Sequence, residues 1–389
     1  MFVMRNPVRD YAWGSTTRLA RFLDRTPTGD PEAELWIGAH EGDPSLLPDG
    51  RRLDEAIADD PAALLGDACH DDFGGRLPFL MKVLAVDRPL SLQVHPSAEQ
   101  ARRGHEREDG AGLALGAPQR NYKDPWHKPE LLVALTEFEG LAGFRDPAAS
   151  ARLLRLLDAA WSAETAGRLE REPLRDVVTD TLRLGGETLV DVVREVGEQA
   201  RLVAGTAEGE AARTLSRVGE LALAYPGDAG VLVALLLNNV LLAPGEAMFV
   251  DAGVVHAYFG GFGLEIMASS DNVLRAGLTP KHMDVAELLS VTDLRAVPPP
   301  RWEPAERGPD HVVLRPPVAE FVLTVGRPPL RDLPATGPRV VLALEGEVTV
   351  SAAHERLTLR RGEAAFVAHA DGAVVVEGDG RVAVGSVPE

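Results

Sequence analysis

Cysteine is nearly absent: Cys69 is the only one in 389 residues. An intramolecular disulfide is therefore excluded, and the usage suits a reducing, cytoplasmic setting. No secretory leader is expected either, since MFVMRNPVRDYAWG puts arginines and an aspartate where an apolar core would stand. The longest apolar run, Val231 to Ala243, is broken by Asn238 and Asn239 and is too short to span a bilayer. Positive charge is scarce: 40 Lys and Arg against 59 Asp and Glu leave a formal net charge of −19. Such a balance argues against a nucleic-acid partner. An anionic small molecule would need a local cluster of cations set against that field. Neither a membrane nor an obligate protein partner is implied.

The length allows two or three domains with a sizeable core. Residues 77–95 form two apolar runs split by Asp87-Arg88-Pro89, which reads as a hairpin turn. Residues 131–144 continue in strand-like fashion. From 146 to about 225, leucine and alanine recur at three- and four-residue spacing among charges, predicting amphipathic helices. Strand patterning returns near 241, where Pro244-Gly245 and Gly260-Gly261 read as turns on either side of a histidine-bearing segment. Asp284 then heads a short helix as an N-cap. VPPPRWEP at 297–304 reads as a linker, and 311–389 as a small β-sandwich or barrel. The expected division is a β-domain at 1–145, a helical domain at 146–230, a return to the first domain at 231–296, a proline-rich linker at 297–310 and a β-domain at 311–389. The fold class is mainly β with a helical insertion.

Three short segments carry chemistry. Ser-Leu-Gln-Val-His-Pro at 91–96, His-Lys-Pro-Glu at 127–130 and Val-Val-His-Ala-Tyr at 254–258 supply Gln93, His95, Glu130 and His256. Gln93 and His95 are two apart, so on a strand they share a face. Imidazole, carboxylate and carboxamide oxygen form a mixed N/O set that zinc accepts. His40, His105, His127 and His282 read instead as structural or solvent-facing.

With these residues the chain resembles the type I phosphomannose isomerase family along nearly its whole length. The resemblance rests on Tyr11-Ala-Trp13-Gly14, on Ala33-Glu34-Leu35-Trp36-Ile-Gly38-Ala-His40, on Leu80-Met-Lys82, on the segments at 91–96 and 127–130, and above all on Leu264-Glu265 through Asp271-Asn272-Val-Leu-Arg275-Ala-Gly277-Leu-Thr279-Pro280-Lys281. It implies a cupin-type jelly-roll catalytic domain, a helical domain and a C-terminal jelly-roll-like β-domain. The recurring Gly-Glu turns at 245, 346 and 362 suit that fold. It further implies one zinc ion per chain held by Gln93, His95, Glu130 and His256, a catalytic Arg275, and interconversion of mannose 6-phosphate and fructose 6-phosphate through a cis-enediol(ate).

That chemistry needs an open-chain sugar, a base beside the C1–C2 edge and positive charge where the oxyanion develops. Lys128, Glu265 and a zinc-bound water are rival bases, and Asp271 or His127 could assist ring opening. Lys82 and Lys281, with Ser91 beside the metal strand, are candidates for the phosphate. Two other classes share the fold. A metal-dependent cupin oxygenase usually presents a His-x-His pair, which Gln93 argues against. A non-catalytic sugar-phosphate sensor is disfavoured by retention of Arg275 and the whole metal set.

Overall fold

The computed structural model describes every residue except His282, His354 and Glu389; the reading of His282 therefore lies outside the described residues. Mixed helix and antiparallel sheet make up the fold. Its organising element is one long strand, His256–Ala268. The first half of that strand pairs with Phe138–Phe144 and meets Leu92–Val94 at His256 opposite Gln93. Its second half lies between Phe79–Val86 and Glu130–Ala134, with Glu265 facing Lys82 on one side and Leu132 on the other.

Two sequence expectations fail here. Gly260-Gly261 is not a turn: the strand bends there and continues, with a register irregularity between Tyr258 and Gly260. Gly261 has φ +135°, and a Cβ on it would sit 2.6 Å from the Phe138 ring and 2.7 Å from the Glu137 carbonyl oxygen. Only glycine permits that corner. Asp87–Pro89 does not close a hairpin either. The strands on its two sides do not pair with each other; they join opposite ends of the long strand. Turn residues mark where a chain reverses, not which neighbour it then finds.

Alternation along these strands sorts their side chains onto two faces. Leu84, Val86, Leu132, Ala134, Phe138, Met248 and Tyr258 fill the interior between the two leaves. On the outer face, Met81, Val83, Leu131, Leu264 and Ile266 pack against Leu323, Val325, Val340, Leu342 and Phe366 of the C-terminal part. The C-terminal part consists of a seven-stranded and a three-stranded sheet, with Val341, Val348, Leu359, Val376 and Val382 between them.

The N-terminal strand Phe2–Met4 belongs to this C-terminal sheet, pairing Phe2 with Phe366, and not to the first domain where its position in the chain puts it. Three apolar residues carry no signal for the edge they join. The proline-rich stretch is also more than a linker. Arg301–Trp302 pairs with Ala247–Val250 on the first sheet, and Glu306–Arg307 pairs with His311–Leu314 on the second.

Helices from Pro147–Leu154 to Gly230–Ala234 form the insertion. Their apolar stripes, among them Leu154, Val177, Val193, Val218 and Leu232, share one core with Leu92, Leu274 and Leu278 of the β-framework. The insertion is thus packed onto the sheet. Asp284 caps Val285–Val291 by accepting from the Glu287 amide, as its spacing predicts. No described helix is long and apolar enough to cross a membrane.

Cys69 is buried on the helix Asp67–Phe73. Burial, then the negative charge of Asp72, pushes its thiol up to about 12. A folded value above the unfolded one means that unfolding releases a proton between the two, so this group costs stability as pH rises past 9. An aromatic disulfide reagent at pH 8 should titrate no thiol in the native protein and one after guanidinium unfolding. Rapid native labelling would contradict the burial.

Candidate metal centre

Antiparallel register brings the distant motifs together. Gln93 stands opposite His256 across one ladder and opposite Arg275 across the other. Side chains directly opposite share a face with Cβ atoms about 5 Å apart. His95 follows two residues after Gln93, and a Ser97–Gln100 capping box then opens the helix Ala98–Gly110. Glu130 comes from the neighbouring leaf. Ligand atoms of His95, Glu130 and His256 all lie within 4.8 Å of one another, and all three residues are buried.

The details suit a divalent ion such as zinc. His95 Nδ1 bonds the Asn272 carbonyl at 2.7 Å, and His256 Nδ1 bonds the Val254 carbonyl at 3.1 Å. Each of those bonds requires the proton on Nδ1, which leaves Nε2 with its lone pair facing the cluster. Buried His95 Nε2 has no hydrogen-bond partner. It lies 3.3 Å from Glu130 Oε1, and His256 Nε2 lies 3.3 Å from Oε2. Tetrahedral coordination with arms of about 2.05 Å has edges of about 3.3 Å, so a zinc ion fits between these atoms. Burial pushes the His95 imidazolium down to about 4 against the pull of Glu130, so the ring is neutral at ordinary pH. Gln93 lines the same small cavity as Glu130 and His256. Its Nε2 faces Ser91 Oγ at 3.5 Å.

Around this cluster the charges are unusually dense and buried. Burial opposes the charge of Glu130, but Lys128, then His95 and His256, hold its carboxyl well below the usual range. Lys128 Nζ is 2.9 Å from Glu130 Oε1. Glu265 experiences the opposite balance: burial and the charge of Glu130 push it up to about 7, with Lys82 opposing. Tyr258 donates to Glu265 at 3.0 Å, and burial followed by Glu265 keeps its phenol protonated. Lys82 lies 3.6 Å from Glu265 and 3.9 Å from Glu34, above the Trp36 ring. Burial pulls its pKa down; Glu34 and Glu265 outweigh that and raise it.

A cleft of ≈ 490 Å³ shares Glu34, Lys82 and Lys128 with that small cavity, and Asp271, Arg275 and Lys281 line it further out. Arg275 has no hydrogen-bond or ion-pair partner among the described residues, and burial lowers its pKa. An adjoining recess of ≈ 570 Å³ adds Ser91 and Arg88 to Gln93, Arg275 and Lys281. Asp271 is paired with His40 at 3.4 Å. His127 is turned away to Glu320 at 2.6 Å. Sequence reasoning overlooked Glu34, Tyr258 and Asn272. Tyr258 was reachable by the two-residue period from His256. Asn272 was not, because its side chain ties the distant loop at Asp124 and Trp126 to the segment carrying the His95 acceptor.

A buried His–Glu–His set with its lone pairs exposed, beside an unpaired arginine in a β-framework cleft, defines a metal-dependent enzyme. Comparison with known proteins then gives the family. The phosphomannose isomerase type I catalytic domain matches residues 1–147. The mannose-6-phosphate isomerase of Escherichia coli (strain K12) is 37% identical over 397 residues, covering 97% of each chain. The Homo sapiens mannose-6-phosphate isomerase is 34% identical, covering 94% of this chain and 93% of its own. A crystal structure of the Salmonella typhimurium mannose 6-phosphate isomerase with fructose 6-phosphate and zinc superposes with a TM-score of 0.90 at 34% identity, over 100% of both chains. The chain belongs to the mannose-6-phosphate isomerase family.

Replacing His95 with alanine removes one arm of the cluster. Losing a residue that merely orients a metal ligand costs about 10–100-fold in metal affinity, so loss of a direct ligand should leave the purified protein with little zinc by elemental analysis. Chelation of the parent should lower its melting temperature, because metal binding favours the folded state. Zinc retained at one per chain in His95→Ala would rule His95 out as a ligand.

Proposed function

We propose that this chain is a zinc-dependent aldose–ketose isomerase that interconverts mannose 6-phosphate and fructose 6-phosphate through a cis-enediol(ate). The observation that carries the reading is the His95–Glu130–His256 cluster with Arg275 beside it, Gln93 standing opposite both His256 and Arg275 on the paired strands. It gains weight from relatives named for this activity, one of them solved with zinc and fructose 6-phosphate. Gln93 would complete the ligand set, since it stands opposite His256 and its carboxamide nitrogen, not its oxygen, faces Ser91. When bound, zinc supplies a Lewis acid that polarises the sugar carbonyl.

The chain's own residues do the rest. The reaction moves one proton between C2 and C1 and one between the two oxygens, with no net redox change. A base therefore has to accept a carbon-bound proton and return it. Glu265 and Lys128 both stand at the cluster, and a carboxyl tuned towards neutrality suits that exchange. Asp271, at the mouth of the cleft, serves ring opening by moving the anomeric proton. Arg275 has no ion-pair partner among the described residues, so it is free to meet the developing oxyanion. Lys281 and Ser91 bind the phosphate at the outer end of the cleft. Lys82 also lines the cleft and contributes to the positive field, although Glu34 and Glu265 share its charge.

The β-framework forms two cupin-type jelly rolls, the first interrupted by the helices at 146–230 and joined to 311–389 through 297–310. A single buried thiol agrees with a cytosolic enzyme.

Turnover of mannose 6-phosphate should vanish with a chelator and return with added zinc. Arg275→Ala should lower kcat ~10²–10³-fold, or about 2.7–4 kcal/mol, with zinc content unchanged. A raised KM at constant kcat would move Arg275 to uniform substrate binding. Unphosphorylated mannose should be a far poorer substrate, because binding at the remote phosphate helps position the reacting carbons. KM for the phosphorylated sugar should rise with salt as screening weakens the attraction. Equal efficiency on mannose would remove the case for a phosphate site.

A further inference from the structure

We propose that Asp228, at the end of the helical insertion, is a positioning residue for Arg275. Arg275 lies on the short strand Leu274–Gly277, whose pairing with Leu92–Val94 is irregular between Arg275 and Gly277. Beyond it the backbone runs through two positive-φ residues, Gly277 at +134° and Leu278 at +58°. A leucine in that region is strained and persists only where its surroundings over-determine it.

The surroundings come from the insertion. Asp228 Oδ1 accepts from the Gly230 amide at 2.7 Å, and its Oδ2 accepts from the Thr279 amide at 3.2 Å. One carboxylate thus joins the start of the helix Gly230–Ala234 to the segment just after Arg275. Beside this bridge the two backbones touch. A Cβ on Gly277 would lie 2.5 Å from Gly230 Cα, and a Cβ on Gly230 would lie 2.8 Å from Gly277 Cα. Leu274, Ala276 and Leu278 are buried in the same core as Val231 and Leu232, so the segment is gripped from both sides of Arg275.

Arg275 has no polar partner of its own among the described residues. Its direction is therefore set by its backbone, which is held through Asp228 and the glycine contact. The insertion does more than fill space: it fixes the arginine and carries Lys281 to the rim of the cleft. Tyr225, three residues before Asp228, lines the recess beside Ser91 and Lys281.

This inference rests on reading the chain as an isomerase with Arg275 at the substrate. Asp228→Ala should lower kcat roughly tenfold at unchanged zinc content, the scale expected of coupling through a packed network. In an Arg275→Ala background the same change should cost nothing further, because a residue acting through Arg275 has nothing left to position. Asp228→Asn keeps one acceptor oxygen and should give a smaller fall, and it carries the test if the alanine variant is insoluble. Amide hydrogen exchange over residues 277–281 should accelerate in either variant, whether or not the enzyme turns over. A parent protein without isomerase activity would count against the functional reading alone. Unchanged exchange, wild-type kcat in Asp228→Asn, or a loss that simply adds to that of Arg275→Ala would overturn the positioning role.

Discussion

A carboxylate removed from water must find positive charge, and Glu130 is the buried carboxylate around which this site is arranged. Its oxygens face His95, His256 and Lys128 within 3.3 Å. The neutral His95 ring cannot balance it, and one ammonium serves only one oxygen. A divalent ion placed between the ligand atoms satisfies the carboxylate and the orphaned His95 ring nitrogen together. The surrounding charges follow from the same constraint. Burial, and then the charge of Glu130 beside it, push the Glu265 carboxyl up towards neutrality. Lys82 is held charged between two carboxylates instead. Two carboxyls on one framework are thereby driven in opposite directions.

Holding such a cluster is a task for regular backbone, because positions on paired strands are fixed to fractions of an ångström where loops are not. The long strand His256–Ala268 does most of this. It gives His256 to the cluster at one end and Glu265 at the other, and its corner at Gly261 lets both ends face the same interior. Its outer face is clamped by the C-terminal sheet through Leu264 and Ile266. A domain with no polar group in the cleft thus stabilises the cleft. A hydrophobic contact on one face of a strand fixes a charged side chain on the other.

The helical insertion works in a comparable way from the opposite side. Its core is continuous with Leu92 and Leu274, which flank Gln93 and Arg275 in sequence. Apolar burial therefore holds the metal strand and the arginine strand from behind while their polar side chains project into the cleft. Stability and function are separated by face and not by domain. This accounts for a net charge of −19 coexisting with an exposed cationic rim.

Much of this was legible in the sequence. The spacing of Gln93 and His95 announced a shared face, leucine periodicity announced the helices, and the block from Glu265 to Lys281 carried the family resemblance. Local chemistry determines such features, so local reading recovers them. Tertiary pairing decided the rest. Asp87–Pro89 signalled a reversal but not that the two flanking strands would join opposite ends of a third. Gly260-Gly261 signalled flexibility, yet only the Phe138 contact made it a corner within a strand. Phe2–Met4 had no local mark of the C-terminal sheet it joins. Lys82 reads as a free cation in sequence and is shared between Glu34 and Glu265 in space. The sequence by itself determined which side chains were available and which elements carried them. Only the folded structure decided which of them meet, because contacts between residues more than 160 positions apart depend on register and burial that no local window contains.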